Sequence, residues 1–179
     1  MESMNPMFEI RPMSPEAYRQ QTRRITLTIA ALFIALALLL STLCVQLFGA
    51  SGGDNFRWNL MGVLIGLALT VAVVRIQLWP RPWMAPAVYG WQLKRSLMRI
   101  GNVMHKVKAG VEARDPAAMK LLRFYHLGLT QMHQLDGNLS DLSQLMREID
   151  QHREAMEAQG LETEQNRLDP AWLDAVKNL

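Results

Sequence analysis

The sequence is short of the residues from which most reaction centres are built. Its 179 residues include one cysteine, Cys44, and four histidines. A lone cysteine forbids an intramolecular disulfide and a thiolate-rich metal site. Glycine-rich phosphate loops, paired-cysteine motifs and the two-histidine zinc-helix signature are missing as well. Charge is missing locally: residues 25–48 (ITLTIAALFIALALLLSTLCVQLF) hold none, and neither do residues 59–74 (NLMGVLIGLALTVAVV). Neither run contains an acid or a histidine, so a proton relay or a path for a charged substrate lacks its usual side chains, and transport by one chain is disfavoured.

What is present is an uneven distribution. Half of the chain is hydrophobic, a fifth is charged and the mean hydropathy is +0.01, because apolar residues crowd the first half while the last hundred residues are charged throughout. The length favours one compact unit or two small ones. Twenty-four uncharged residues rising 1.5 Å each make roughly 36 Å of helix, enough to cross a hydrocarbon core of about 30 Å. The competing reading, a cleaved signal peptide, is disfavoured by the length of the run and its distance from the first residue. The second run continues past Arg75, whose stem can snorkel, to Trp79, so residues 57–79 are expected to form a second span.

The link from Gly49 to Phe56 is short, which makes the two spans antiparallel neighbours. Arg11, Arg19, Arg23 and Arg24 precede the first span and Arg75, Arg81, Lys94 and Arg95 follow or end the second, whereas the link is flanked only by Arg57. The positive-inside rule then puts both termini in the cytoplasm. Trp58, Trp79 and Trp83, with Arg75 and Arg81, are expected at the two membrane interfaces. Gly62, Gly66 and Thr70 recur at four-residue intervals and strip one face of bulk; Ala31 and Ala35 are the expected matching face on the first span. This seam serves either packing within the hairpin or a homo-oligomer.

Ser14-Pro15-Glu16 has the order of an N-cap, a first-turn proline and an acid at the positive helix end, so the first helix should start near Pro15. Residues 1–14 read as a flexible N-terminus, although Phe8 and Ile10 could dock on the later domain. Trp79-Pro80-Arg81-Pro82-Trp83 and Pro86 make an elbow, because proline lacks an amide donor and restricts the residue before it. A proline-rich recognition motif is the functional alternative. The expected organisation is a hairpin over 15–83 and a cytosolic helical domain over 84–179.

In that domain Leu93, Leu97, Ile100, Met104, Val107 and Val111 keep the heptad spacing of a coiled-coil-like bundle seam, which predicts one helix over about 86–113. Asp115-Pro116 starts a second helix carrying Met119, Leu122, Phe124, Tyr125, Leu129, Met132 and Leu135. Heptads run on through Leu139, Leu142, Met146 and Ile149. An unbroken helix over 116–156 would nevertheless be about 61 Å long against about 42 Å for its partner. The strong turn signal Asp136-Gly137-Asn138 therefore predicts a break and a third helix over about 139–158, closed by Gly160. Asp169-Pro170 begins a short last helix that should dock through Trp172, Leu173 and Val176. The fold class is all-α: a two-helix transmembrane hairpin, a bundle of about three helices and a short C-terminal helix.

Charge divides within this domain. Residues 84–114 carry six bases and one acid, and residues 136–179 carry ten acids and four bases. Lys94, Arg95, Arg99, Lys106 and Lys108 are candidates for facing anionic lipid headgroups, each worth about 1 kcal/mol when close; the bland alternative is a solvated helix face. The acidic segment could pair with them. Nucleic-acid binding is not expected, since no recognition motif accompanies the positive charge. His126 and His133 lie two turns apart on nearly one face, and a metal or general-base site there is the only enzymatic alternative. No metal, cofactor or catalytic residue is otherwise indicated.

Tyr18-Arg19, Gly53-Asp54-Asn55-Phe56, Asn59-Leu60 with the glycine pair, Trp91-Gln92-Leu93-Lys94, Asp115-Pro116-Ala117-Ala118-Met119 and Gln134-Leu135-Asp136 together resemble a family of small gammaproteobacterial membrane proteins known as a domain of unknown function. The likeness covers most of residues 15–175. It implies a bacterial inner membrane and carries over no activity, cofactor or catalytic residue. The expected role is therefore a non-enzymatic inner-membrane protein that holds a helical bundle at the bilayer surface for interaction with lipid, a protein partner or another copy. A subunit of an oligomeric channel or transporter is the alternative.

Overall fold

The computed structural model describes residues 8–138 and 142–178. Among them are seven α-helices and no strand: α1 (Pro15–Phe48), α2 (Phe56–Val73), α3 (Ala85–Gly101), α4 (Met104–Glu112), α5 (Pro116–Asp136), α6 (Leu142–Glu157) and α7 (Pro170–Lys177). The chain divides into two compact units, Gln20–Val88 and a helical domain made of Met1–Arg19 with Tyr89–Leu179. The division falls inside α1 and beyond the elbow, later than the boundary expected at residue 84.

In the Gln20–Val88 unit, α1 and α2 are two helices long and apolar enough to cross a membrane. α1 starts where the Ser14-Pro15 pair predicts, with the Ala17 amide donating to Ser14 Oγ at 3.4 Å. The connection is pinned by Asn55, whose Oδ1 accepts from the Ala50 amide at 3.0 Å while its Nδ2 donates to the Ala50 carbonyl at 3.2 Å. α2 ends in a single π-turn, Val74–Leu78, closed by the Trp79 amide on the Val74 carbonyl at 2.8 Å. The elbow then forms as a short 3-10 turn over Pro82–Met84, and Pro86 sits in the first turn of α3, where its missing donor costs nothing.

The helical domain departs from the expected single helix over 86–113. It breaks at Gly101–Val103 into α3 and α4. Glycine and asparagine are both poor helix formers, and an adjacent pair lowers the cost of opening one turn. The heptad seam is shared between two clusters, whose boundary falls within α3 and not at the break. Leu93 and Leu97 pack with Tyr18 and Leu135. Ile100 and Val107 pack with Ala118, Leu121, Phe124, Leu168, Leu173 and Val176. Met104 and Val111 are only half-buried.

Helix ends in this domain are closed by local chemistry. Asp115 and Asp169 cap α5 and α7 by accepting the Ala118 and Ala171 amides, each at 2.8 Å. Gly137 ends α5 in the left-handed region at φ 76°, with the Asn138 amide returning to the His133 carbonyl at 3.0 Å, and Gly160 (φ 67°) ends α6 the same way through Leu161 and Met156. Residues 116–158 are thus two helices. The turn at Gly137 lies where the sequence put it, and Leu139 lies outside the described residues. In α6 the heptad position Ile149 is buried whereas Met146 is exposed, and His152 and Met156 extend the buried stripe. α7 docks as expected, with Leu173 and Val176 buried.

The described part of the N-terminal segment is not loose. The Ile10 amide donates to the Asn166 carbonyl and the Leu168 amide to the Phe8 carbonyl, at 2.8 and 2.9 Å, an isolated antiparallel bridge. Arg167 Nε reinforces it by donating to Glu9 at 2.9 Å. Phe8 meets Phe124 edge-on at 6.4 Å, so the docking anticipated for Phe8 and Ile10 occurs.

Candidate functional site

Three groups of residues carry the functional expectations, beside the tryptophan and arginine interface candidates. The first is the small-residue seam. Gly62, Gly66 and Thr70 are all buried on α2. A Cβ added at Gly66 would meet the Ala37 Cα at 2.9 Å, and one at Gly62 would fall onto the backbone of Leu40 and Ser41. The partner face is therefore Ala37 and Ser41, with Cys44 buried one turn on. Ala31 and Ala35, the expected partners, are exposed. Ala35 precedes Ala37 by two residues, about 200° around a helix, so the register set by the connection turns both of those alanines away. Thr70 Oγ1 donates to the Gly66 carbonyl at 2.7 Å, which satisfies a hydroxyl in an apolar setting.

The interface candidates cluster at helix ends. Trp58 stacks on Phe48 with ring centroids 5.2 Å apart, and Arg57 lies over its ring at 5.1 Å. Arg75 lies over Trp79 at 4.8 Å. Trp83 and Arg81 are exposed beyond it. Each pair joins a guanidinium to an aromatic face, an arrangement suited to a headgroup layer.

The second group is the basic strip of α3 and α4, whose members mostly have partners within their own domain. Lys94 pairs with Asp136 at 3.1 Å. That ion pair joins the basic block to the acidic one, as the charge division allowed. Arg95 covers Trp91 at 5.0 Å, and Lys106 Nζ donates to the Lys177 carbonyl at 2.7 Å, at the negative end of α7. Arg99 and Lys108 form no ion pair among the described residues.

The third group is histidine. His126 is brought together not with His133 but with His152 of α6, the rings meeting edge to face with centroids 5.4 Å apart. His133 is half-buried, whereas His126 and His152 are buried. The His152 Nε2 lies 2.9 Å from the Met119 carbonyl, which can only accept, so Nε2 carries the proton. Arg123, one turn before His126, is also buried and donates from Nε to the Thr163 carbonyl at 2.8 Å. Arg123 Nη1 and His126 Nδ1 are buried without a hydrogen-bond partner among the described residues. Burial pushes the His126 imidazole down to about 4, with His152, Arg123 and Lys108 adding repulsion. Burial also lowers His152. An imidazole this weakly basic stays neutral at neutral pH. Among the described residues no three histidine, cysteine or carboxylate groups come close enough to hold a metal ion.

Sequence reasoning missed Ala37, Ser41, Arg123 and His152. No local signal points to His152, because its meeting with His126 depends on how α6 packs on α5. For Arg123 the signal was present: a lone cation between Leu122 and Phe124 on a helix that otherwise buries that stretch.

These features define an all-α protein with a helical domain and an apolar two-helix hairpin. The family model described as protein of unknown function DUF3087 matches residues 8–173, and the chain belongs to that family. No match is found among curated proteins or solved structures.

Proposed function

We propose that the protein is a non-enzymatic membrane tether, in which the α1–α2 hairpin spans a bacterial inner membrane and holds the helical domain at the cytoplasmic surface for contact with anionic lipid, a protein partner or another copy. One observation carries this reading. Only 11% and 17% of the most apolar stretches of the two helices are buried, and Leu38 and Leu47 are 66% and 72% exposed. The core helix of a water-soluble protein would bury such side chains; helices in lipid need not. A short link, positive flanks on the far ends of both helices and arginine-covered tryptophans support the same placement, with both termini on one side.

Two further observations bear on the alternatives. The glycine pair is taken up by packing within the hairpin, which favours a tether over a channel-forming oligomer. His126 is uncharged, buried and paired with His152, a setting that favours a core role over general-base catalysis. Alkaline extraction of membranes and reporter fusions at each end test the reading. It expects retention in the membrane fraction and both reporters cytoplasmic; release into the supernatant, or reporters on opposite faces, overturns it.

A further inference from the structure

We propose that a groove in the Gln20–Val88 unit, at the end of the hairpin remote from its connection, binds the phosphate of an anionic glycerophospholipid. α1 supplies Gln21, Arg24, Thr28 and the buried Ile25, and the proline turn supplies Pro82 and Trp83, around a volume of about 330 Å³. That volume lies in the range of small-ligand sites, roughly 300–1,000 Å³.

The chemistry of the lining selects the ligand. Arg24 is its only charged side chain, is exposed, and forms no ion pair among the described residues. A guanidinium presents a planar fork of donors that fits two phosphate oxygens. Gln21 adds an amide donor beside it. Thr28 contributes no proton, because its hydroxyl donates to the Arg24 carbonyl at 3.0 Å. One guanidinium and one amide are few donors for holding a free phosphate in water. The remaining walls, Ile25, Pro82, Trp83 and Pro86, are apolar and suit the glycerol backbone and the first carbons of acyl chains.

Position argues the same way. Arg24 is the last charge before the uncharged run that begins at Ile25, so phosphate held there leaves the attached chains level with apolar helix. Trp83, 44% exposed, borders the groove with the amphipathic ring that favours a headgroup layer. The inference rests on the membrane reading above and adds a specific occupant to it.

Native mass spectrometry of the full chain released from detergent tests the proposal, with phosphatidylglycerol, phosphatidylcholine of the same chains, or inorganic phosphate as the added probe. Phosphatidylglycerol should be retained over phosphatidylcholine by about fivefold, the effect of one cation close to an anionic headgroup. Arg24→Gln should bring the two lipids to parity. Arg23→Gln, which removes the neighbouring charge outside the groove, should leave the preference intact, and Arg24→Lys should keep most of it even if the glutamine variant folds poorly. Equal retention of both lipids by the unmodified chain, or equal effects of Arg23→Gln and Arg24→Gln, overturns the site. Displacement of the lipid by an equal concentration of inorganic phosphate makes the occupant a soluble phosphate and overturns the lipid assignment. Flotation with neutral liposomes separates the two levels of inference. A chain that floats but shows no preference refutes the groove alone; a chain that does not float refutes the membrane reading and the groove with it.

Discussion

The helical domain and the facing stretches of α1 and α2 differ in the size of most of the side chains they bury. In the helical domain the residues most removed from solvent are large: Phe124, Leu121 and Ile100 are fully buried and Leu93 is 1% exposed. In the hairpin the buried residues include Gly62, Gly66, Thr70, Ala37 and Cys44, while Leu38, Leu64 and Ile76 stand outward. Water rewards a fold for hiding large apolar surfaces. Lipid does not, since acyl chains are as apolar as leucine, and what remains is close backbone approach through small residues. On the proposed membrane placement, burial in the hairpin is a record of backbone contact, and burial in the domain is a record of expelled water.

That contrast can be broken most directly by truncation. Phe124→Ala should destabilise the helical domain by about 3–5 kcal/mol, the cost of a buried aromatic and the cavity it leaves. Leu64→Ala, on the outward face of α2, should change stability by less than about 0.5 kcal/mol in detergent or lipid. Thermal unfolding of the two variants followed by circular dichroism measures both. Comparable losses would mean that α2 packs against something through its outer face. The reverse substitution sharpens the point: Gly62→Leu should cost about 1–3 kcal/mol or more by overpacking, because its added bulk meets the backbone of Leu40 and Ser41 with no flexible atom to give way.

A smaller effect concerns acid. His126 and His152 are buried and uncharged at neutral pH, facing Arg123 on α5 and Lys108 on α4, with Asp150, Arg153, Glu157 and Glu164 acting on Arg123 from α6 and the segment after it. The His126 imidazole titrates at about 4 in the folded chain, against about 6.5 when unfolded. Its folded value is depressed, so the unfolded chain takes up the proton first. The stability it contributes is complete above about pH 6.5 and drains away as pH falls towards 4, to a total of about 2–3 kcal/mol. Denaturant unfolding at pH 7.5 and 4.5 should show the loss, and His126→Leu should flatten it. An unchanged slope in that variant would assign the acid sensitivity to other groups.

Much of the fold is written in short-range chemistry. Ser14-Pro15, Asp115-Pro116 and Asp169-Pro170 start α1, α5 and α7 where the sequence says they should, and Gly137 and Gly160 end α5 and α6. Each depends on a few neighbouring residues and the hydrogen bonds of one turn. What was illegible depends on distant partners. The heptad positions from Leu93 to Val111 identify which face is hidden, yet that pattern is indifferent to a break, so the spacing does not mark the opening after Gly101. The glycine face of α2 was recognisable, but its partner face required the register of the connection, and two residues of offset separate Ala35 from Ala37. His126 was noticed for its spacing to His133 and acquired its true neighbour only through the packing of α6.

The smallest test concerns a turn that the same local rules describe incompletely. α4 closes with the Asp115 amide on the Gly110 carbonyl at 2.9 Å and the Arg114 amide on the Val111 carbonyl at 3.0 Å, the same double closure that glycine makes at Gly137 and Gly160. Here the left-handed position holds arginine, at φ 59°. A Cβ in that region costs about 1–2 kcal/mol, and glycine avoids it, but glycine also frees the unfolded chain by about 0.4–1 kcal/mol. Arg114→Gly should therefore stabilise the domain by about 0.5 kcal/mol, the residue of two opposed terms. Asp115→Ala, which removes the cap of α5 from the adjoining position, should cost about 1 kcal/mol. Thermal unfolding that ranks glycine above arginine and alanine well below aspartate would establish that the bend between α4 and α5 is set by the capping bonds, with Arg114 tolerated in it. A loss on Arg114→Gly would instead show that the arginine side chain contributes contacts worth more than its backbone strain.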